Sequence, residues 1–195
     1  MSTGERPHPR LVVVRHGETE WSRSRQHTGR TDIPLTPEGR ARAAALNALL
    51  AVHDFALVLT SPLQRARDTA TLAGFPHAEP CDDLLEWDYG DDEGRTSMEI
   101  REERPGWMIW ADGPKNGETI DQVATRADRV IARVLHAGGD TLIFAHGHML
   151  RILSARWIDA PPRLGERLNL ATAAFSILAW EHDYRVIERW SCDAG

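Results

Sequence analysis

Leu11-Val12-Val13-Val14-Arg15-His16-Gly17-Glu18-Thr19 decides how the rest of this chain is read. Four apolar, mostly β-branched residues predict a buried strand, and they run straight into an arginine and a histidine. A strand of this composition gains nothing from charge at its tip, whereas the carboxyl ends of strands are where open α/β sheets bind ligands. Gly17 is read as the residue that lets the backbone approach a ligand closely.

The same arrangement recurs twice. Phe55-Ala56-Leu57-Val58-Leu59 predicts a second buried strand, followed by Thr60-Ser61-Pro62-Leu63-Gln64-Arg65. With Ser61 as N-cap and Pro62 as the first helical residue, Arg65 falls in a first helical turn, where backbone N–H groups favour an anion. Thr141-Leu142-Ile143-Phe144-Ala145 predicts a third strand, ending in His146-Gly147-His148. If these strands are parallel neighbours, Arg15, His16, Arg65 and His146 converge on one spot. With 23 Lys+Arg against 29 Asp+Glu the chain is net −6, so such a cluster is no by-product of a basic surface. An acidic chain lacks the broad basic face that nucleic acid requires, and a small anion, most simply phosphate, is the better match.

At 195 residues and 42% hydrophobic, the chain is expected to be one domain over 1–195, with residues 1–9 a loose N-terminal leader. Cys81 and Cys192 give neither a disulfide framework nor a CxxC pair, which fits a cytoplasmic protein. No apolar stretch approaches the length of a bilayer span, so no membrane partner is expected. A helix is predicted from the N-cap Thr36, with Pro37 in its first turn, to Leu50, and others at about 62–73, 97–104, 119–137 and 147–158. Strands at 174–180 and 184–190, joined by a tight turn at Glu181-His182-Asp183, predict an antiparallel edge hairpin. The expected fold is α/β, a three-layer α/β/α sandwich whose mixed sheet is mostly parallel.

Two long polar stretches, 17–35 and 82–118, are expected to carry function. The second contains Leu85-Glu86-Trp87-Asp88-Tyr89-Gly90-Asp91-Asp92-Glu93-Gly94, with five acids in eight positions. Trp87 and Tyr89 among the acids imply partial burial, which fits a carboxyl to donate a proton.

Five boxes stand in order: Arg15-His16-Gly17-Glu18-Thr19, Ser61-Pro62-Leu63-Gln64-Arg65-Ala66, Glu86-x-Asp88-x-Gly90-x-x-Glu93-Gly94, Gly117-Glu118-Thr119 and Ala145-His146-Gly147-His148. Together they resemble the histidine phosphatase, or phosphoglycerate-mutase-like, superfamily over nearly the whole chain, and the length resembles its short phosphatase-type members. The resemblance implies a phosphohistidine mechanism: His16 takes the phosphoryl group, Arg15 and Arg65 hold its oxygens, His146 stabilises it in transfer, and Glu86 protonates the leaving oxygen and then activates water. Fixed cations and planar guanidinium forks suit a phosphoryl group's spread charge. Ser22, where many relatives carry Asn, and Thr28 and Gly29 match a phosphate-binding loop.

The resemblance implies a phosphomonoesterase acting on sugar phosphates or similar small metabolites, with no cofactor and no metal. Its partner is a small phosphate ester; the oligomeric state is left open, a homo-oligomer included. A cofactor-dependent phosphoglycerate mutase is the alternative, disfavoured by the short Glu86-to-Gly117 interval, whose Trp107 and Trp110 read equally as pocket or core. A metal-dependent phosphoesterase would use His146-x-His148, but Arg15 beside His16 repels a cation. A non-catalytic phosphate-binding module would need neither His16 nor Glu86.

Overall fold

The structure, a computed structural model, describes residues 8–193. Most of the expected leader, residues 1–7, lies outside these. Strand β1 (Leu11–Arg15) shows why an apolar run rather than an alternating one is needed. Leu11 and Val13 enter one hydrophobic cluster while Val12 and Val14 enter another, on the opposite face of the sheet. A strand covered on both faces must be apolar at every position.

Further along the chain come β2 (Leu57–Thr60), β3 (Glu79–Pro80), β4 (Thr141–Ala145), β5 (Phe175–Glu181) and β6 (Tyr184–Cys192). Their order across the sheet is β3-β2-β4-β1-β5-β6. β4 runs parallel to both β1 and β2, and β2 parallel to β3, whereas β5 is antiparallel to β1 and to β6. The sheet is therefore mixed, with the predicted hairpin at one edge. β3, not foreseen, is only two residues long and ends in a proline that cannot donate to a ladder.

Helices fill the outer layers. The long polar segment after β1 begins with α1 (Glu20–Ser24). On the face of Val12 and Val14 lie α2 (Pro37–Ala45), α3 (Asn47–Leu50) and α4 (Gln64–Leu72), which contribute Leu50 and Ala70. The segment after β3 carries two short helices, α5 (Ser97–Glu103) and α6 (Ile109–Asp112). The other face is covered by α7 (Ile120–His136), through Val123, Ala127, Val130, Ile131 and Val134, and by α8 (Gly147–Trp157), through Met149, Leu150, Ile152, Leu153 and Trp157. Thr119 opens α7 with a capping box to Gln122, a device worth about 1 kcal/mol. No helix among the described residues is long and apolar enough to cross a membrane.

Three local expectations are corrected. α4 starts at Gln64 behind an uncapped Leu63 rather than at Pro62: Ser61 Oγ accepts the Leu63 N–H at 3.4 Å in a short turn ahead of the helix, and lies 2.7 Å from His146 Nε2 as well. The helix expected from Thr36 to Leu50 is two helices: Thr36 does cap the first, but at Leu46 the N–H turns back to the Ala43 carbonyl and tightens the chain. Finally, the close approach at Gly17 is made by α2. A Cβ on Gly17 would lie 2.4 Å from the Gly39 carbonyl oxygen, and one on Gly39 would lie 2.2 Å from that of Glu18. The Gly17 N–H is bound by Thr69 Oγ1.

Candidate active site

β1 delivers His16 to the carboxyl edge of the sheet, and the imidazole is buried there. Its Nδ1 lies 2.7 Å from the Gly17 carbonyl oxygen. A carbonyl only accepts, so Nδ1 carries the proton and a neutral ring is left with a lone pair on Nε2. Burial first, and then the charges of Arg65 and Arg15, hold His16 well below the usual histidine value, so the ring is neutral at pH 7. The guanidinium of Arg15 donates through NH1 to the Leu170 carbonyl at 2.5 Å, while its buried Nε has no partner among the described residues.

β4 ends in His146, fully buried, with its ring centroid 5.2 Å from that of His16. Behind the pair lies Arg65, also fully buried. Four donor contacts engage its guanidinium: Nε reaches His146 Nδ1 at 3.2 Å, NH1 the Thr31 carbonyl, and NH2 the carbonyls of Thr28 and Gly29. Glu93 grips the same turn from the other side, accepting the N–H groups of Gly29 and Thr31. This clamp holds the 28–31 loop by its carbonyls and its amides at once.

Glu86 is buried at the start of α8. Oε1 accepts the N–H groups of Trp87 and Met149, and Oε2 that of His148. Two of these belong to the first turn of α8, whose N–H groups have no partner within the helix. Oε2, with one donor, is the oxygen with capacity to spare. Asp88, the neighbouring acid, is spent on the Gly90 N–H and on Arg30.

These side chains border a cavity of about 370 Å³, lined among others by Arg15, His16, Ser22, Thr28 and Glu86. Arg65 and His146 back His16 without lining the cavity. Gly29 also stands off it, because its N–H belongs to Glu93 and its carbonyl to Arg65. Ser22 lines the cavity with its Oγ already engaged in a reciprocal cap with Thr19, which the shorter side chain makes natural. His146 and His148 diverge: the first faces Ser61 and Arg65, the second has Nδ1 2.5 Å from the Tyr89 hydroxyl and packs edge-on against Trp87 and Trp110. Trp107 and Trp110 are core residues, with Trp110 under His148.

Several wall residues were not singled out from the sequence as binding groups: Tyr89 for its position on the cavity, Arg25, His27, Arg151 and Asn169, while His148, weighed only as a metal ligand, lies on the wall too. Burial depresses His27 to about 4 and His148 well below its usual value, and raises Tyr89 well above its own, so all three are uncharged at pH 7. Arg151 could have been found from its spacing, since it lies four residues after Gly147 and so on the same face of α8. Arg25 could not: it depends on the left-handed turn (φ 63°) that ends α1, a conformation where glycine is the usual residue.

Fold and cavity together define an α/β protein that presents a neutral histidine and an unpaired guanidinium nitrogen at the carboxyl edge of its sheet. Residues 11–193 match the sequence profile of the histidine phosphatase superfamily (branch 1), and the chain belongs to that superfamily. It is 41% identical over 186 residues to an acid phosphatase of Mycobacterium tuberculosis (strain ATCC 25618 / H37Rv), covering 93% of this chain and 91% of that one. It is also 41% identical over 183 residues to the sedoheptulose 1,7-bisphosphatase of Saccharomyces cerevisiae (strain ATCC 204508 / S288c), covering 76% of this chain and 67% of the other. The solved structure of a Mycobacterium tuberculosis open reading frame superposes with a TM-score of 0.91 at 38% identity, over 96% of this chain and 99% of that one.

Proposed function

We propose that this protein is a phosphatase that hydrolyses small phosphorylated metabolites through a phosphohistidine on His16. The observation that carries the mechanism is the Nδ1–Gly17 hydrogen bond, which leaves Nε2 as a lone pair beside a cavity that also holds Arg15 and Glu86. Its family, and the phosphatase names of its relatives in Mycobacterium tuberculosis and Saccharomyces cerevisiae, support the reaction class.

In the first half-reaction Nε2 attacks phosphorus, the N–P bond forms, the ester P–O bond breaks, and the departing oxygen takes a proton from Glu86. In the second, Glu86 accepts a proton from water as the water oxygen attacks phosphorus. The N–P bond then breaks and its electron pair returns to Nε2. The sum is ester plus water to alcohol plus phosphate. Arg15, which lines the cavity, supplies the fixed charge at the phosphoryl oxygens, where a preorganised donor is most effective. Arg65 acts from behind, its charge helping to hold His16 uncharged, while the His146 ring packs beside that of His16.

The reading is of a cytoplasmic, metal-independent enzyme; the unpaired Cys81 and Cys192 fit the first of these. Incubation with a phosphate-labelled substrate, followed by a denaturing quench at alkaline pH, tests the mechanism: label is expected on wild type and absent from His16→Ala, and chelator leaves turnover unchanged. Substantial turnover by His16→Ala would refute the covalent route. Isomerisation of 3-phosphoglycerate stimulated by bisphosphoglycerate would instead make the protein a mutase.

A further inference from the structure

The fourth sequence box, Gly117-Glu118-Thr119, does not line the cavity, yet it packs on the segment that carries the acid. A Cβ on Gly117 would lie 2.2 Å from the Asp88 carbonyl oxygen, and this close fit brings Glu118 alongside residues 87 and 88. The Glu118 N–H donates to the Asp88 carbonyl at 3.0 Å, the Glu118 carbonyl accepts the Trp87 indole N–H at 2.8 Å, and Glu118 Oε2 accepts the Asp88 N–H at 3.0 Å. Arg30 approaches the same carboxylate at 3.6 Å.

Arg126 meets Glu118 from α7, on the helix face where Val123, Ala127 and Val130 are buried. A buried cation on such a face needs partners for its donors, and this one has them for every N–H. Nε donates to Glu118 Oε1 at 2.9 Å and NH2 to Oε2 at 2.8 Å, a bidentate ion pair. NH1 donates to the carbonyls of Asp83 and Leu85 at 2.8 and 2.7 Å, and NH2 also reaches the Glu86 carbonyl at 3.4 Å. The pair thus grips the backbone on both sides of the acid, by carbonyls up to Glu86 and by the amide of Asp88. Neither Glu118 nor Arg126 shares a hydrogen bond with Arg15 or His16 among the described residues.

We propose that Glu118 and Arg126 are positioning residues for the leaving-group acid, an ion pair that fixes the 83–88 backbone so that the Glu86 carboxylate meets both its donors on α8 and the cavity. This rests on the reading of Glu86 as that acid. Proton transfer falls steeply when the donor is misplaced, whereas attack by His16 depends on groups that the pair does not touch. The step most sensitive to the pair is therefore the departure of a poor leaving group.

Steady-state kcat/KM should be measured for an alkyl phosphate, which needs the acid, and for p-nitrophenyl phosphate, which needs it little. In Arg126→Met and Glu118→Gln the alkyl value is expected to fall about tenfold or more while the aryl value changes by less than about twofold. Glu118→Gln is isosteric, keeps the main-chain contacts to Trp87 and Asp88, and leaves in place the arginine whose charge is felt at His146, so it decides the matter if Arg126→Met fails to fold. Residues that act only through Glu86 lose their effect once Glu86 is disabled: adding Glu118→Gln to Glu86→Gln should lower the alkyl value by no more than about twofold. Equal losses on both substrates, a full further loss in the double variant, or wild-type values in both single variants overturn the positioning role and leave Glu86 as the acid. Wild-type hydrolysis of the alkyl phosphate by Glu86→Gln overturns the acid reading and the positioning role with it.

Discussion

Arg65 Nε lies 3.2 Å from His146 Nδ1, and that one contact fixes where the histidine's proton sits. A guanidinium only donates, so Nδ1 must be the bare nitrogen and the proton must lie on Nε2, 2.7 Å from Ser61 Oγ. Burial and the arginine charge hold His146 well below its usual value, which keeps the ring in that neutral form. Arg65 thus sets the state of one histidine with one face of its fork and the position of a loop with the rest.

Lysine cannot replace it. In Arg65→Lys a single ammonium must choose among His146 and the carbonyls of Thr28, Gly29 and Thr31, leaving buried acceptors without donors. Stability is expected to fall by about 3 kcal/mol in urea denaturation, and kcat/KM to fall by roughly a hundredfold or more.

Glu86→Gln is shape-conserving yet chemically wrong at this helix start. One amide oxygen can take the place of Oε1, but the NH2 group then meets the His148 N–H donor to donor. On alkyl phosphates kcat should fall by about 10²–10⁴ because no proton reaches the leaving oxygen. With p-nitrophenyl phosphate, whose leaving group needs little help, a rapid burst should survive before slow turnover. Equal loss of the burst on both substrate types would show that Glu86 is not the leaving-group acid.

Four buried histidines give stability a defined pH dependence. His16, His146 and His148 are held well below 6.5 and His27 at about 4, each chiefly by desolvation. Unfolded, they titrate near 6.5, so below that pH the unfolded chain binds protons that the folded chain refuses. Stability is complete above pH 6.5 and declines as pH falls toward 4, by about 1.4 kcal/mol per pH unit for each histidine fully involved. Urea midpoints at pH 7.5 and 5.5 should show the loss, while kcat/KM of the still-folded enzyme should show no fall near pH 6.5 from His16. A kinetic limb at that pH would mean that His16 is solvated.

Gly39→Ala tests the contact between β1's exit and α2. The new Cβ would sit 2.2 Å from the Glu18 carbonyl oxygen and 2.6 Å from its nitrogen, both backbone atoms with no freedom to yield. A loss of about 2–3 kcal/mol is expected, together with reduced activity, since the displaced segment carries His16.

The layers were legible in the sequence because their signals are local. Four β-branched and aliphatic residues before Arg15, the Thr36-Pro37 start of α2 and the periodic valines of α7 each express one element's own needs. Ser61 misled for the same reason: its dipeptide with Pro62 is a sound helix start, but the hydroxyl closes a short turn onto the Leu63 N–H ahead of the helix and also serves a buried histidine 85 residues away. Gly17 misled because sequence shows that space is needed and not what fills it. Arg25 carries no local mark of its place on the cavity wall, since that place depends on the left-handed turn that ends α1.

The clamp on residues 28–31 has a consequence for how the molecule comes together. Gly29 is joined to Arg65 over 36 residues and to Glu93 over 64, so three separate stretches of chain must meet before this loop has a position. Contacts so distant in sequence form late, after the local turns and helices that bring them within reach. Strand pairing spans still more chain, with Leu11 of β1 meeting Thr141 of β4, so loop and sheet are completed together, and a molecule that has formed only its helices is not yet an enzyme.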